Sequence, residues 1–241
     1  TAKAIIGLWP ANASGDDIRI FADSDRGSVL GTVHGLRQQK EKKPGRYNTC
    51  LSDFVAPKTA NVKDYLGAFV VSAGFGANEL AAAFKKTHND YDAIMVKVLA
   101  DRLAEALAER MHERVRKEFW GYAAGEKLDN EDLIAEKYAG IRPAPGYPAC
   151  PDHTEKRVLF DMLRAEESIG VGLTDSYAMQ PAASVSGWYF SHPKSHYFGV
   201  GKIDRDQVID YARRKNMSVA EIEKWLAPNL FYVPGRTAVQ K

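Results

Sequence analysis

Apolar and polar positions alternate near the start of the chain and recur with helical spacing further along it. Ala4 to Leu8 is an apolar run that passes through Trp9 to Pro10, where a strand is expected to end. Asp17-Ile18-Arg19-Ile20-Phe21 alternates with period two, and Ser28 to Leu36 repeats that texture. Period two marks half-buried strands, so an antiparallel opening is predicted. Gln38 to Gly45 is charged and closes on Pro44-Gly45, a surface loop. Asp64 to Ala73 reads as a fully apolar strand, and Asn78 to Lys86 has the alanine-rich texture of a short helix. From Tyr91 to about Trp120, residues Ile94, Val98, Leu103, Leu107, Met111 and Val115 recur at spacings of three to five and predict a long helix with these six facing the core. Asp129-Asn130-Glu131-Asp132 supplies caps and acids for a helix running to Tyr138, with Gly140 as its stop.

The texture then changes. Ile141 to Pro151 holds four prolines and a glycine, which exclude helix and central strand and predict an extended, stiffened loop. A helix is expected from about Asp152 to Ser168, closed by Gly170, then strands over Gly172 to Met179 and Trp188 to Ile203. Asp206 to Lys215 reads as a helix, and Ser218-Val219-Ala220-Glu221 has capping-box spacing for a last one that Pro228 ends. No repeat, low-complexity tract or polar linker divides the chain, so residues 1–241 are expected to form one α+β unit.

Composition narrows the function. With 45% hydrophobic residues among 241, a sizeable core is available, and Lys plus Arg (33) nearly balance Asp plus Glu (31), a formal net charge of +2. That balance argues against nucleic acid as a partner. No run approaches the roughly 18 consecutive apolar residues of a membrane helix, so no membrane partner is expected. Two cysteines, Cys50 and Cys150, are too few for a disulfide framework and point to a reducing, cytoplasmic setting. The start at Thr1, directly before an apolar run, suggests a piece of a longer protein.

Several residue groups could carry chemistry. Gly74-Phe75-Gly76 between a strand and a helix has the order of a dinucleotide-binding turn, but Glu79 stands where the third glycine of that motif belongs and the strands look antiparallel. His192 and His196, with Cys150 and His153, have acceptable spacing within each pair, yet a structural zinc site normally shows two compact ligand pairs rich in thiolates. No metal site is assigned, and Ser184-Val185-Ser186-Gly187 lacks the leading glycine of a hydrolase elbow. The proline-rich loop is stronger, because a stiff backbone loses little entropy on binding and this one carries Arg142 and Tyr147. Rigid packing alone would account for the same prolines equally well. Glu105 and Glu136 read most simply as solvated helix carboxylates. With Arg142, Tyr147 and Tyr197 they could also line a pocket for a ligand bearing both a cation and a carboxylate.

The fifteen residues from Arg142 to Lys156, RPAPGYPACPDHTEK, resemble the signature loop of the activation domain of cobalamin-dependent methionine synthase. Ser184 to Pro193, the tail from Asp206 to Leu230, Asp53-Phe54-Val55-Ala56-Pro57 and His112-Glu113-Arg114-Val115-Arg116 are similar to it as well, so the likeness spans nearly the whole chain. It implies an α+β domain around a twisted antiparallel sheet that binds S-adenosylmethionine and offers its methyl group to cobalt. In that family, cofactor stranded as cob(II)alamin is restored with an electron from flavodoxin or a flavoprotein reductase. Cobalamin would sit on another module of the longer chain, which is the expected partner, and zinc on the homocysteine module. No catalytic acid or base is implied here, and this chain alone is not expected to make methionine. Residue by residue, the resemblance gives Arg142 the ligand carboxylate, Ala144 and Tyr147 the loop contacts, Tyr197 and Phe198 the aromatic contacts, and Glu105 and Glu136 the ammonium and sulfonium end. The family also contributes an aspartate from a segment upstream of Thr1, so part of the site is expected to be missing. Two other readings stand beside this one: a docking module for the cobalamin domain and flavodoxin with weak ligand binding, and a nucleotide-binding enzyme built on Gly74 to Gly76.

Overall fold

Seven strands form among the described residues: β1 (Lys3–Ser14), β2 (Asp17–Phe21), β3 (Val29–His34), β4 (Asp64–Ser72), β5 (Gly172–Leu173), β6 (Met179–Gln180) and β7 (Ser184–Tyr189). In the computed structural model, which describes residues 1–235, five of them make one sheet in the order β3-β2-β1-β4-β7 with every neighbouring pair antiparallel. Residues 236–241, the end of the span expected to be one unit, lie outside the described residues. β5 and β6 pair separately. The architecture is α+β, as expected from the alternating start.

β1 does not end at Pro10 but continues to Ser14, changing neighbours there: Lys3 to Ala11 pair with β4, and Ala11 to Ser14 with β2. Pro10 lies one residue beyond the β2 ladder, the kind of margin at which a missing N–H is tolerated. β4 is apolar from Leu66 to Val71 because that stretch is covered on both faces. Leu66, Ala68 and Val70 join the cluster that includes Leu159, Phe160 and Trp188, whereas Phe69 and Val71 pack with Ala108, Met111 and Val115.

Among the described residues seven α-helices accompany the strands: α1 (Ala77–Lys86), α2 (Asp90–Arg114), α3 (Asn130–Ile134), α4 (Lys156–Leu163), α5 (Ala165–Ile169), α6 (Arg205–Lys215) and α7 (Val219–Trp225). α2 is the long helix expected, finishing in a π-turn over Val115–Phe119, but its buried side is different. Ile94, Val98 and Leu103 are 62%, 45% and 61% exposed, while Ala93, Ala100, Ala104, Ala108, Met111 and His112 are buried. The reason is geometric. The six large apolar residues advance by four, five, four, four and four positions, more than 3.6 on average, so they wind around the helix from the solvent side to the core. The alanines hold one side, and Ala108 packs with Phe69, Val71 and Tyr189 of the sheet.

Four other expectations change, the first being the strand over Gly172 to Met179, which is the two short strands β5 and β6 paired with each other. The helix from Asp129 stops at Ile134, and the one from Asp152 is a 3-10 turn (His153–Glu155) followed by α4 and α5, divided at Arg164, whose backbone is left-handed (φ 48°). The strand expected over Trp188 to Ile203 ends at Tyr189; Pro193 removes a donor and His192 accepts turn bonds from Ser195, so the chain beyond runs as coil. α7 does open on the predicted capping box, with Ser218 and Glu221 satisfying each other's backbone N–H.

Candidate functional site

The proline-rich loop lies along the exposed edge of β7. Ile141 and Phe190 exchange backbone bonds of 3.1 and 3.0 Å, and Trp188 N–H donates to the Pro143 carbonyl at 2.9 Å. This pairing asks little of prolines, because the loop's carbonyls do part of the bonding. It also explains Gly187: a Cβ there would stand 2.7 Å from the Pro143 oxygen and 2.9 Å from the Phe69 ring. Past Ala144 the loop turns tightly, with Tyr147 N–H on the Ala144 carbonyl, Cys150 N–H on the Tyr147 carbonyl and Gly146 in a left-handed conformation (φ 97°).

Its far end is fastened inside the protein. Asp152 accepts from Thr154, from the Tyr211 hydroxyl (2.9 Å) and from Lys215 (2.7 Å), and Lys215 also donates to Glu155 (2.6 Å). Burial alone would raise the Asp152 carboxyl, but Lys215 and the Thr154 bonds outweigh it and hold the group below the ordinary range. The coil after β7 is tied to the same loop by Val200 N–H donating to the Pro148 carbonyl at 2.8 Å. That tie brings Tyr197 and Phe198 opposite the loop.

Between loop, coil, sheet and α2 lies a cleft of about 450 Å³. Arg142, Ala144, Tyr147, Tyr197, Phe198, Glu105 and Glu136 all line it, so the structure brings the seven residues singled out from the sequence to one place. They come from four separate parts of the chain. Phe69 and Val185 form its floor, and Tyr138 and Pro148 its walls.

Arg142 is the best-held member. Its backbone N–H donates to the Tyr197 hydroxyl (3.0 Å), and Nη1 reaches Tyr138 Oη (3.2 Å) and His112 Nδ1 (3.3 Å). Nη2 lies 3.6 Å from the exposed Glu109 carboxylate. Tyr138 and Tyr197 hydroxyls meet at 3.2 Å. Burial, then the bond to Tyr197, raises the Tyr138 phenol, which therefore stays neutral. Glu105 and Glu136 are exposed at the cleft mouth, and Tyr147 is 60% exposed at its rim. Glu136 has a left-handed backbone (φ 53°) because it follows α3 in a Schellman-type ending, its N–H on the Leu133 carbonyl and the Lys137 N–H on that of Asp132.

Tyr138, Phe69 and Val185 were not among the residues singled out. Tyr138 stands between Glu136 and Arg142 in the sequence, which was the available signal; the other two read as core strand residues, and they are, with one edge each on the cleft. The dinucleotide turn is overturned by the sheet: β4 has antiparallel neighbours on both sides, a Cβ at Gly74 would lie 2.6 Å from Pro181, and Gly76 supplies the positive φ (83°) that starts α1. His196 packs edge-on against Phe54, and His153 accepts from Lys156 at 2.8 Å. Among the described residues no group of three or more His, Cys, Asp or Glu side chains is placed to hold a metal ion. Both thiols are buried, which pushes Cys50 up to about 11 and raises Cys150 well above the ordinary thiol range. No helix among the described residues is long and apolar enough to cross a membrane.

Fold and cleft define an α+β domain in which a stiffened loop and a pair of facing aromatics wall a mixed-charge cleft at the edge of an antiparallel sheet. Over residues 1–216 the chain matches the family model of the activation domain of vitamin B12-dependent methionine synthase, and it belongs to that family. A crystal structure of the MetH reactivation domain bound to AdoHcy is similar to it, at 59% identity over 96% of this chain and 71% of that one, with a TM-score of 0.94. The family is thus a domain of a methyltransferase.

Proposed function

We propose that the cleft binds S-adenosylmethionine and presents its methyl group for reactivation of a cobalamin held on another module of the same protein. The observation that carries this reading is the charge arrangement: one well-held guanidinium and two carboxylates line a single aromatic-walled cleft, the complement of a ligand with one carboxylate, one ammonium and one sulfonium. The AdoHcy in the related structure is that ligand without its methyl group. When bound, S-adenosylmethionine supplies an electrophilic methyl on a positive sulfur for transfer to reduced cobalt, with the electron coming from flavodoxin or a flavoprotein reductase.

Arg142 takes the ligand carboxylate, for which its planar fork is suited. Glu105 and Glu136 face the cationic end, with Tyr147, Tyr197 and Phe198 offering ring faces to it. Because the sulfonium loses charge as the methyl leaves, these carboxylates favour binding more than transfer. Rate follows instead from how the loop and coil position the methyl. The span 1–241 serves as one such domain.

Calorimetric titration with S-adenosylmethionine tests the reading. The unaltered chain should release or absorb ligand-dependent heat, and Arg142→Ala should weaken binding by about tenfold or more, the loss of hydrogen bonds between charged partners. No binding by the unaltered chain would leave the docking-module reading in its place.

A further inference from the structure

His112 has no place in the ligand contacts above, yet it is one of the most completely buried polar side chains in the protein, at 0% exposure. It sits on the inner side of α2, stacked on Tyr189 (ring centroids 5.3 Å, planes 13° apart) and edge-on to Tyr138 (5.1 Å). Its Nδ1 lies 3.3 Å from Arg142 Nη1, and its Nε2 lies 3.5 Å from Tyr122 Oη. An arginine can only donate, so Nδ1 must be the acceptor and the ring proton sits on Nε2, facing Tyr122. Burial first, then the guanidiniums of Arg116 and Arg142, holds the imidazole well below its ordinary range, so the lone pair is present throughout the working pH range.

This lone pair solves a geometric problem. A guanidinium can offer a carboxylate either of two forks, and it rotates between them unless one edge is fixed. Here Nη1 is occupied twice, by His112 Nδ1 and by Tyr138 Oη, and both partners are braced by ring packing. That leaves Nε and Nη2 as the donors not held by a hydrogen bond within the protein, since the 3.6 Å from Nη2 to Glu109 is too long for a strong one. Resting on the proposed binding of S-adenosylmethionine, we infer that His112 is a positioning residue, whose neutral Nδ1 fixes the Arg142 guanidinium so that its opposite fork receives the ligand carboxylate.

Two ligands and three variants test this by calorimetry: S-adenosylmethionine, and its decarboxylated analogue, which keeps the sulfonium and the amine but lacks the carboxylate. His112→Phe preserves a ring against Tyr189 and removes the lone pair; it should weaken S-adenosylmethionine by about tenfold and leave the analogue within about twofold, as expected for one charge-assisted hydrogen bond. His112→Asn, which can put an amide oxygen near the Nδ1 position, should retain S-adenosylmethionine affinity within about threefold. Arg142→Ala should show the same ligand selectivity as His112→Phe. Equal losses for both ligands in His112→Phe would make the histidine merely structural and overturn the inference, as would no loss for either. If His112→Phe does not fold, a tenfold loss of S-adenosylmethionine in His112→Asn overturns it, and retention supports it. Failure of the unaltered chain to bind either ligand would instead sink the proposed function, and the inference with it.

Discussion

Glu136 occupies a position where the backbone and the side chain make opposite demands. Its φ of 53° is left-handed, and it follows α3 at the site of a Schellman-type ending that glycine fills most easily. Holding a residue with a Cβ in that conformation costs roughly 1–2 kcal/mol. Glycine removes the cost but adds roughly 0.5–1 kcal/mol of unfolded-chain entropy. Glu136→Gly should therefore leave stability unchanged or raise it by up to ~1.5 kcal/mol, a rise in Tm of up to about 6 °C for a chain of this size. The same change removes a carboxylate from the mouth of the cleft. An exposed ion pair contributes roughly 0.2–1 kcal/mol, so affinity for S-adenosylmethionine should fall about two- to fivefold and the deficit should shrink in high salt. Glu136→Gln separates the two effects, since it removes the charge and keeps the backbone strain; it should reproduce the affinity loss with no gain in Tm. Thermal unfolding by circular dichroism and calorimetric titration give both readings. A Tm for Glu136→Gly more than a few degrees below the parent would refute the reasoning, because the side chain would then be supporting the fold; unchanged affinity in both variants would show that the carboxylate does not serve the ligand.

Two further changes probe the supports of the loop. The Asp152 carboxyl titrates below its unfolded value near 3.9, so it contributes stability above that value and loses it as pH falls through the lower folded value. Asp152→Asn should cost about 3 kcal/mol at neutral pH and flatten the acid limb below about pH 4 in denaturant titrations; an unaltered acid limb would rule the carboxylate out as its source. Gly187→Ala drives a methyl against the Pro143 carbonyl and the Phe69 ring, and should cost roughly 1–3 kcal/mol while weakening S-adenosylmethionine binding, as the loop is pushed off β7. Full stability and affinity in that variant would mean the loop does not depend on its contact with the sheet.

Much of the local structure was legible because it depends on neighbours in sequence. The alternation over Asp17–Phe21 became β2, the Ser218–Glu221 spacing became a capping box, and the prolines of 141–151 excluded regular structure there. The α2 stripe of large apolar residues does not predict the buried side, because burial falls to alanines whose spacing keeps them on one side of the helix. The coil after Tyr189 has strand composition at Tyr197 and Phe198, and nothing local reveals that the chain is tied at Val200 to the Pro148 carbonyl, about fifty residues earlier. At the site, Arg142 and Tyr147 were visible in the stiff loop, whereas Glu105 and Glu136 looked like any solvated acids until the fold set them around one cleft.

Most of the regular elements, the rigid loop and, through the run from Arg142 to Lys156, the family can be read from residue order alone, since propensity, turn chemistry and a long contiguous pattern are all properties of the chain as a string. The covering of β4 on two faces, the buried side of α2 and the place of His112 behind Arg142, thirty residues away, are set by folding. Such contacts are selected by packing and by the need to satisfy buried donors and acceptors, and those constraints act between surfaces that meet only once the chain has folded.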